Sequence, residues 1–596
     1  MKSRITRRKF LASAAAATVA TQISWADQSH AVPAKQQTAF EEFDYGAVRL
    51  TGGPLGAQYD RMHATYLALD NDRLLKVYRQ HAGLPAPGAD MGGWYDAYDF
   101  VPGHTLGQYI SGLARMAQTS SDEACRQKVA DLVAGFAATL GPKDQVFAGP
   151  NAKEVWPCYI LDKHLQGLID AYNFAGVTEA RALVPRVFHG ALPYIPELGR
   201  DRIGKKDPPY DETFIMPETL FEAHALTGEK IFRDRALAYL LDREFFDPLS
   251  QGKDMLPGSH AYSHAIALSS AGKAHLVLGD EKYLRAMQTA WNALETGQQY
   301  ATGGWGPNET FITPHKGELF ESLHTTDDHF ETPCGSYAAI KLARYLLCAT
   351  GDARYADGME RVVFNALAAV KDPDGDGNFP YYSTYGSHTR KVYYQKKWPC
   401  CSGTLVEGVA DYVKDIYFRS ADGVAVTFYA PSELHWQQNG IEVTLAQKTE
   451  YPIGETIHLH IDAATPIHFA LRLRIPAWSN GKFALSVNGQ PVQAEVSKGF
   501  ALVRRNWTKG DMVRLELPQN FRTESIDDKH PETTALLRGP LVYVELNPRE
   551  GTQRQVGTDA LQSLATSRGF YAARGRVHAP FYFVQNERYT MYAEKG

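Results

Sequence analysis

Cys400-Cys401-Ser402-Gly403-Thr404-Leu405-Val406-Glu407-Gly408-Val409-Ala410-Asp411-Tyr412-Val413-Lys414-Asp415-Ile416 is followed, a few residues on, by Val424-Ala425-Val426-Thr427-Phe428-Tyr429. In the first run Leu405, Val409, Tyr412, Val413 and Ile416 recur at i, i+4, i+7, i+8 and i+11, the spacing of one buried helical face. In the second the side chains alternate, as on a half-buried strand. The chain therefore changes its period near residue 418, from a helical part to a β part.

Upstream, Gly176, Gly228, Gly279 and Gly351 each end an apolar-periodic segment, at intervals of 52, 51 and 72 residues. Glu229, Asp280 and Asp352 follow three of them. Glycine suits the residue just past a helix, and an acid suits the start of the next. The interval fits a repeated helix pair. About twelve helices between residues 57 and 418 form six hairpins, which close into an (α/α)6 barrel or stack as an open solenoid. The longest interval holds extra residues between Gln298 and Thr332, rich in Gly, Pro, Thr and His, where function is expected. Downstream, Phe469 to Ile475, Ala484 to Val487 and Val513 to Leu517 alternate between the turn signals Asn480-Gly481, Asn488-Gly489 and Lys509-Gly510-Asp511. They predict an antiparallel β-sandwich over 419–550, with a β tail over 551–596.

At the other end, Thr6-Arg7-Arg8-Lys9-Phe10-Leu11 reads as a twin-arginine motif. An alanine-rich run follows, and Ser24-Trp25-Ala26 offers a cleavage site. The expectation is an export signal over 1–26 and a periplasmic or secreted protein; the plain alternative is an ordinary basic N-terminus. A short strand, Phe43 to Leu50, belongs to an N-terminal segment over 27–56, and a helical run from Gln58 to Gln80 opens the domain expected over 57–418. No stretch approaches the ~20 apolar residues of a membrane span. The net charge of −5, without a long basic run, argues against a nucleic-acid partner. The 9 Trp, 32 Tyr and 27 Phe suit sugar binding as well as a large core. The terminal β region leaves a second copy of the chain as a candidate partner.

Only six cysteines occur in 596 residues. Cys400 and Cys401 stand at a helix start, where free N–H groups and the helix dipole favour thiolate. Adjacent cysteines make a strained disulfide. Cys334, in Phe330-Glu331-Thr332-Pro333-Cys334, also opens a helix, because Pro333 suits a first turn and Ala338, Leu342, Tyr345, Leu346 and Ala349 give a buried face. Three thiolates with the Glu331 carboxylate complete a tetrahedral zinc shell. The bland alternative is three buried thiols packed as small apolar groups. Tyr382 and Trp398, near the pair, stack on a sugar or pack in the core.

The chain resembles glycoside hydrolase family 127, the β-L-arabinofuranosidase family. The likeness rests on Gly103-His104-Thr105-Leu106-Gly107, Tyr159 to Tyr172 around Lys163-His164, Thr302-Gly303-Gly304, Glu331 to Tyr337 and the Cys400-Cys401 pair. It continues in Arg474-Ile475-Pro476-Ala477-Trp478, Val487-Asn488-Gly489 and Arg538-Gly539-Pro540. The resemblance implies the (α/α)6 barrel with β-sandwich domains and a retaining exo-glycosidase releasing L-arabinofuranose or a related sugar from plant cell-wall glycans. It implies Cys400 as nucleophile and zinc on Glu331, Cys334, Cys400 and Cys401. It further implies a glutamate after Thr-Gly-Gly as acid/base, here Glu309, with Glu318 and Glu321 as alternatives, and His164 and His264 as sugar contacts; His104 lies in a family motif. Three departures stand out. Glu331 precedes Cys334 by three residues where the arabinofuranosidases have two. The acid/base glutamate lies closer to Thr-Gly-Gly than in those enzymes. Met216-Pro217-Glu218 replaces another substrate histidine. The rivals are a polysaccharide lyase, which would use a Tyr or His base, and a sugar-binding protein with a dead site.

Overall fold

The computed structural model describes residues 38–149, 156–200, 211–549 and 555–595. The expected export signal lies outside them. Helices occupy the first two thirds: α1 Gly53–Leu67, α2 Asn71–His81, α3 Leu106–Ser120, α4 Glu123–Leu140, α5 Pro157–Ala175, α6 Ala180–Ala191, α7 Pro217–Thr227 and α8 Lys230–Tyr239. They continue with α9 Asp247–Ser250, α10 Ala261–Leu278, α11 Glu281–Gly297, α12 Glu318–Thr325, α13 Thr332–Thr350, α14 Ala353–Val362 and α15 Cys401–Asp411. The run expected from Gln58 to Gln80 is two helices, α1 and α2. Asp70 divides them by accepting the Asp72 N–H at 2.8 Å, a side-chain cap on α2.

The glycine punctuation holds. Gly176, Gly228, Gly279 and Gly351 all take left-handed backbone, with φ between +67° and +79°. Asp280 and Asp352 cap the next helix through Lys282 N and Arg354 N. Glu229 makes no side-chain cap; its longer side chain instead reaches His189 at 3.4 Å.

Helices α3, α5, α7, α10, α13 and α15 each pack on the next, and α15 packs back on α3. Of these, α3, α5, α10, α13 and α15 are buried nearly all round, whereas α2, α11 and α14 bury one face. The tightest approach lies between α3 and α5. A Cβ on Gly107 would stand 2.0 Å from the Lys163 carbonyl oxygen, and one on Gly167 would stand 2.4 Å from that of Gly107. Both atoms met are backbone, so only glycine fits the crossing. A buried ion network ties the ring across its closing seam. Arg115 of α3 meets Asp170 of α5 at 2.8 Å and Asp411 of α15 at 2.9 Å. Arg344 of α13 meets Asp411 at 3.0 Å and Asp415 at 2.7 Å.

The β part begins at Tyr417, where the sequence changes period. A six-stranded sheet and a seven-stranded sheet face each other, with Trp436, Phe469 and Trp507 between them at ring separations of 5.6 Å. The pairing is antiparallel except for Ile467–Arg474 beside Gly423–Val426, which run parallel. The strand expected over Phe43 to Leu50 is divided. Glu41–Glu42 joins the six-stranded sheet, a 3-10 turn over Tyr45–Ala47 follows, and Val48–Leu50 joins the seven-stranded sheet. The N-terminal segment thus crosses from one sheet to the other. A third, eight-stranded sheet takes Phe521–Ser525, Thr533–Arg538 and Leu541–Leu546 with strands up to Tyr592–Glu594. Its strands lie on both sides of residue 550. No helix among the described residues is long and apolar enough to cross a membrane.

Candidate active site and metal centre

The starts of α13 and α15 meet at one end of the helix ring. Cys334 Sγ lies 3.3 Å from Cys401 Sγ and 3.7 Å from Cys400 Sγ. Glu331 reaches them despite the extra residue in its spacing: its Oε1 is 3.4 Å from Cys400 Sγ and 3.7 Å from Cys401 Sγ. A two-stranded pairing of Phe330–Glu331 with Tyr382–Ser383 delivers it there, secured by Thr332 N on the Tyr381 carbonyl at 2.8 Å. The cysteines are free thiols, and all four residues are buried.

The donor set fits a metal. One donor atom from each of Glu331, Cys334, Cys400 and Cys401 lies within 4.8 Å of the others. Ligands on a tetrahedral zinc with Zn–S bonds of about 2.3 Å stand roughly 3.8 Å apart, close to the spacings here. Glu331 Oε2 is buried without a hydrogen-bond partner, a cost that a cation would remove. Burial pushes the Cys334 and Cys401 thiols and the Glu331 carboxyl up. It pushes Cys400 the same way, but hydrogen bonds from Cys334 and Cys401, with the Tyr381 hydroxyl and His104 nearby, hold Cys400 well below the usual thiol range. Among the three thiols the pull toward thiolate is thus strongest at Cys400, at the N-terminus of α15.

A second group adjoins the first through Glu331. His260, Glu309 and Glu331 each offer a donor atom within 4.8 Å of the others. Glu309 Oε2 meets His260 Nε2 at 3.1 Å, and its Oε1 accepts hydroxyls from Tyr381 at 2.9 Å and Tyr382 at 2.5 Å. Burial would raise this carboxyl, but the bonds from His260, Tyr382 and Tyr381 win and hold it down to about 2. Asn308 and Glu309 both take positive φ, +52° and +58°. Neither is glycine, so the turn stores strain of about 1–3 kcal/mol per residue to aim the carboxylate. Glu318 accepts the Thr313 N–H at 3.2 Å and Glu321 is exposed, so neither joins this group.

The histidines divide. His104 stands beside Cys400. Its Nδ1–H donates to the Val101 carbonyl at 2.7 Å, which leaves a lone pair on Nε2, buried without a partner. Burial lowers its pKa to about 4, so it is neutral. His164 and His264, expected as sugar contacts, are enclosed. The His164 Nε2–H is spent on the Tyr78 hydroxyl at 3.0 Å, and that hydroxyl donates to Gly103 O at 2.8 Å. His164 therefore braces the loop that carries His104. His264 Nδ1 donates to the His260 carbonyl at 3.1 Å, between Phe214 and Phe245, and so supports His260. Trp398 is in the core, with its indole N–H on the Met91 carbonyl at 2.8 Å. Tyr382 does reach the site, on Glu309. Glu218 pairs with Lys341 at 2.5 Å, deeper within the helix ring.

His260 and Tyr381 are site residues that the sequence motifs did not mark. The backbone bridge between His260 and Thr310 brings His260 to Glu309, 49 residues away, which no local spacing announces. Tyr381 had one available signal, its place beside Tyr382.

The family model described as "Beta-L-arabinofuranosidase, GH127 catalytic domain" matches residues 47–414, and that of the GH127 middle domain matches residues 423–519. A "Non-reducing end beta-L-arabinofuranosidase" of Bifidobacterium longum subsp. longum is 24% identical over 345 residues, 54% of this chain and 50% of that protein. The chain thus spans about half the length of the curated relative it matches. A solved GH127 beta-arabinofuranosidase superposes with a TM-score of 0.74 at 19% identity, covering 94% of this chain and 98% of that one. A GH127 beta-L-arabinofuranosidase from Geobacillus stearothermophilus T6 gives 0.71 at 18% identity, covering 92% and 100%. With its two family models and its shared fold, the chain belongs to glycoside hydrolase family 127.

Proposed function

We propose that the chain is an exported retaining exo-glycosidase that releases L-arabinofuranose from β-linked ends of plant cell-wall glycans. The reading places the reaction at one end of an (α/α)6 barrel and the protein in the periplasm or outside the cell, after twin-arginine export. One observation carries it: a buried cysteine, Cys400, and a positioned carboxylate, Glu309, both neighbour Glu331. The curated relative's name supplies the sugar.

Cys400 Sγ attacks the anomeric carbon, the glycosidic C–O bond breaks, and the leaving oxygen takes a proton from Glu309. Glu309 then takes a proton from water, the water oxygen attacks the same carbon, the C–S bond breaks and the thiolate returns. Two displacements retain the configuration. In the free enzyme Glu309 is ionised, the form the second step needs. A sugar that draws the Tyr382 hydroxyl away from it moves its pKa upward, the direction the first step needs. Glu331, Cys334, Cys400 and Cys401 would hold zinc, which when bound there keeps sulfur as thiolate and eases its departure.

The test is hydrolysis of aryl β-L-arabinofuranoside against the α-anomer and other aryl furanosides and pyranosides, with the product anomer read by NMR. Cleavage of the β-L-arabinofuranoside with retention, lost in Cys400→Ser, is expected. Full activity in Cys400→Ser would point to a lyase-like base instead, and binding of the sugar without cleavage would leave a dead site.

A further inference from the structure

Asn308 and Glu309 form the strained turn of the site, and the groups that keep it strained come from another part of the chain. The Asn308 N–H donates to the Asp328 carbonyl at 2.8 Å. The Asp328 N–H donates to the Thr326 hydroxyl at 3.0 Å, and that hydroxyl donates to Asn308 Oδ1 at 2.8 Å. These three bonds close a ring over the turn. Asparagine tolerates left-handed backbone, but Glu309 beside it lacks that tolerance. Two such residues in a row persist only where the surroundings over-determine them. The ring through Thr326 supplies that constraint.

Thr326 stands just past α12, and its N–H caps that helix on the Ser322 carbonyl at 3.1 Å. The third sheet holds the other end of α12. Its hairpin between Phe521–Ser525 and Thr533–Arg538 carries Asp527 and His530. Asp527 Oδ2 accepts the Phe320 N–H at 3.1 Å, one of the first-turn donors that a helix leaves unpaired. The His530 ring stacks on Phe320 with centres 3.8 Å apart, and its Nδ1 meets Asp527 Oδ1 at 2.9 Å. Ser322, midway, is fixed from the side: its hydroxyl meets that of Tyr300 at 2.7 Å, and its carbonyl meets His329 Nε2 at 3.2 Å. Helix α12 is thus a strut of 8 residues with the hairpin at one end and the Asn308–Glu309 turn at the other.

We propose that Thr326 is a positioning residue for Glu309, acting through Asn308, and that the Asp527–His530 hairpin anchors the strut that carries it. The inference rests on the reading of Glu309 as acid and base and adds what aims it. Thr326, Asp527 and His530 move no proton. Their part is to keep the carboxylate where the bonds from His260, Tyr381 and Tyr382 form. A misplacement of about 1 Å from a change away from the chemistry can cost about 10²-fold.

The test is Thr326→Val, which keeps the shape and removes both the donor and the acceptor. For methyl β-L-arabinofuranoside, whose alkoxide needs the proton, kcat/KM is expected to fall ~10–100-fold, and for the dinitrophenyl glycoside less than ~3-fold. The ratio of two substrates in one sample does not depend on the fraction folded. Thr326→Ser keeps the hydroxyl and is expected to stay within about twofold of wild type on both. Adding Asn308→Gly to Thr326→Val is expected to recover at least ~3-fold of the alkoxide loss, because glycine takes positive φ unaided. Asp527→Ala and His530→Ala are expected to show the same substrate selectivity at several-fold. An unchanged ratio in Thr326→Val, or a loss that Thr326→Ser shares, overturns the positioning role. No recovery with Asn308→Gly contradicts the route through Asn308. A ratio moved by Thr326→Val but by neither hairpin variant overturns the hairpin's part. If Glu309→Gln itself loses equally on both substrates, the reading of Glu309 fails first and takes the inference with it.

Discussion

Replacing Glu309 by Gln isolates one side chain that the structure holds by three hydrogen bonds, from His260, Tyr381 and Tyr382. The amide keeps the shape and one acceptor oxygen but cannot carry a proton. Positioned proton transfer is worth about 10²–10⁴-fold in rate, which is about 3–5.5 kcal/mol of barrier at 1.36 kcal/mol per tenfold. The loss depends on the leaving group. A sugar alkoxide needs the proton, so kcat/KM for a disaccharide is expected to fall through the whole of that range. A dinitrophenolate leaves without help, so kcat/KM for its glycoside is expected to fall less than ~10-fold. The second step still lacks its base, so with that substrate the glycosyl-enzyme accumulates and a burst of dinitrophenol precedes a slow steady state. Stopped-flow absorbance at matched enzyme concentration reads both phases. Glu318→Gln and Glu321→Gln serve as controls and are expected to stay within about twofold of wild type, since neither touches the site. Equal losses for the two substrates, or a larger loss in a control than in Glu309→Gln, would refute the assignment.

Three further outcomes follow from the same geometry. Asp411→Asn removes the carboxylate shared by Arg115 and Arg344, leaving buried guanidinium charge uncompensated. A loss of about 3–5 kcal/mol in denaturant unfolding is expected, and one below 1 kcal/mol would show that the seam does not depend on the network. Burial works to raise the Glu42 carboxyl, but Lys414 and Arg344 hold it down to about 2, from 4.5. Its stabilising contribution is then present above about pH 4.5 and lost as pH falls toward 2. Glu42→Gln should flatten the acid limb of a stability–pH profile; an unchanged limb contradicts the pairing. Unfolding the purified protein beside a zinc-responsive dye should release about one equivalent per chain, falling sharply in Cys334→Ser. Release that does not change in that variant would mean that the metal sits elsewhere.

What the sequence made legible was local. The left-handed glycines after α5, α7, α10 and α13, the helical face of Leu405 and Val409 and the alternation after residue 418 each follow from a few neighbouring residues; the helix itself stops at Asp411, and Tyr412, Val413 and Ile416 of the expected face lie in the turn beyond it. The cysteine cluster was legible for the same reason, because two helix starts carry it. Pairings set by distant partners were not. Nothing near Phe43 to Leu50 says that the segment divides between two sheets, or that Ile467–Arg474 runs parallel to Gly423–Val426. The strands around residue 550 look like an end of one unit and a tail, until Leu541–Leu546 pairs with Arg576–Pro580. Glu331 shows how a spacing misleads. Counting residues back from Cys334 raised doubt about its reach, but a strand pairing with Tyr382–Ser383 places it. Residue type alone also could not separate roles. His164, His264 and Trp398 carry the right chemistry for sugar contact, and in the fold His164 Nε2, His264 Nδ1 and the Trp398 indole N–H bond to Tyr78, the His260 carbonyl and the Met91 carbonyl. His260 has the same chemistry and does meet Glu309.

The most direct measurement of the central claim is the site of covalent attachment. Glu309→Gln, loaded with dinitrophenyl β-L-arabinofuranoside and quenched during the slow phase, is digested and its peptides are weighed and sequenced by mass spectrometry. The account predicts one pentosyl group on Cys400, none on Cys401 or Cys334, and no adduct when Cys400→Ser is combined with Glu309→Gln. A pentosyl group on any other residue, or turnover with inversion and no adduct at all, would contradict it.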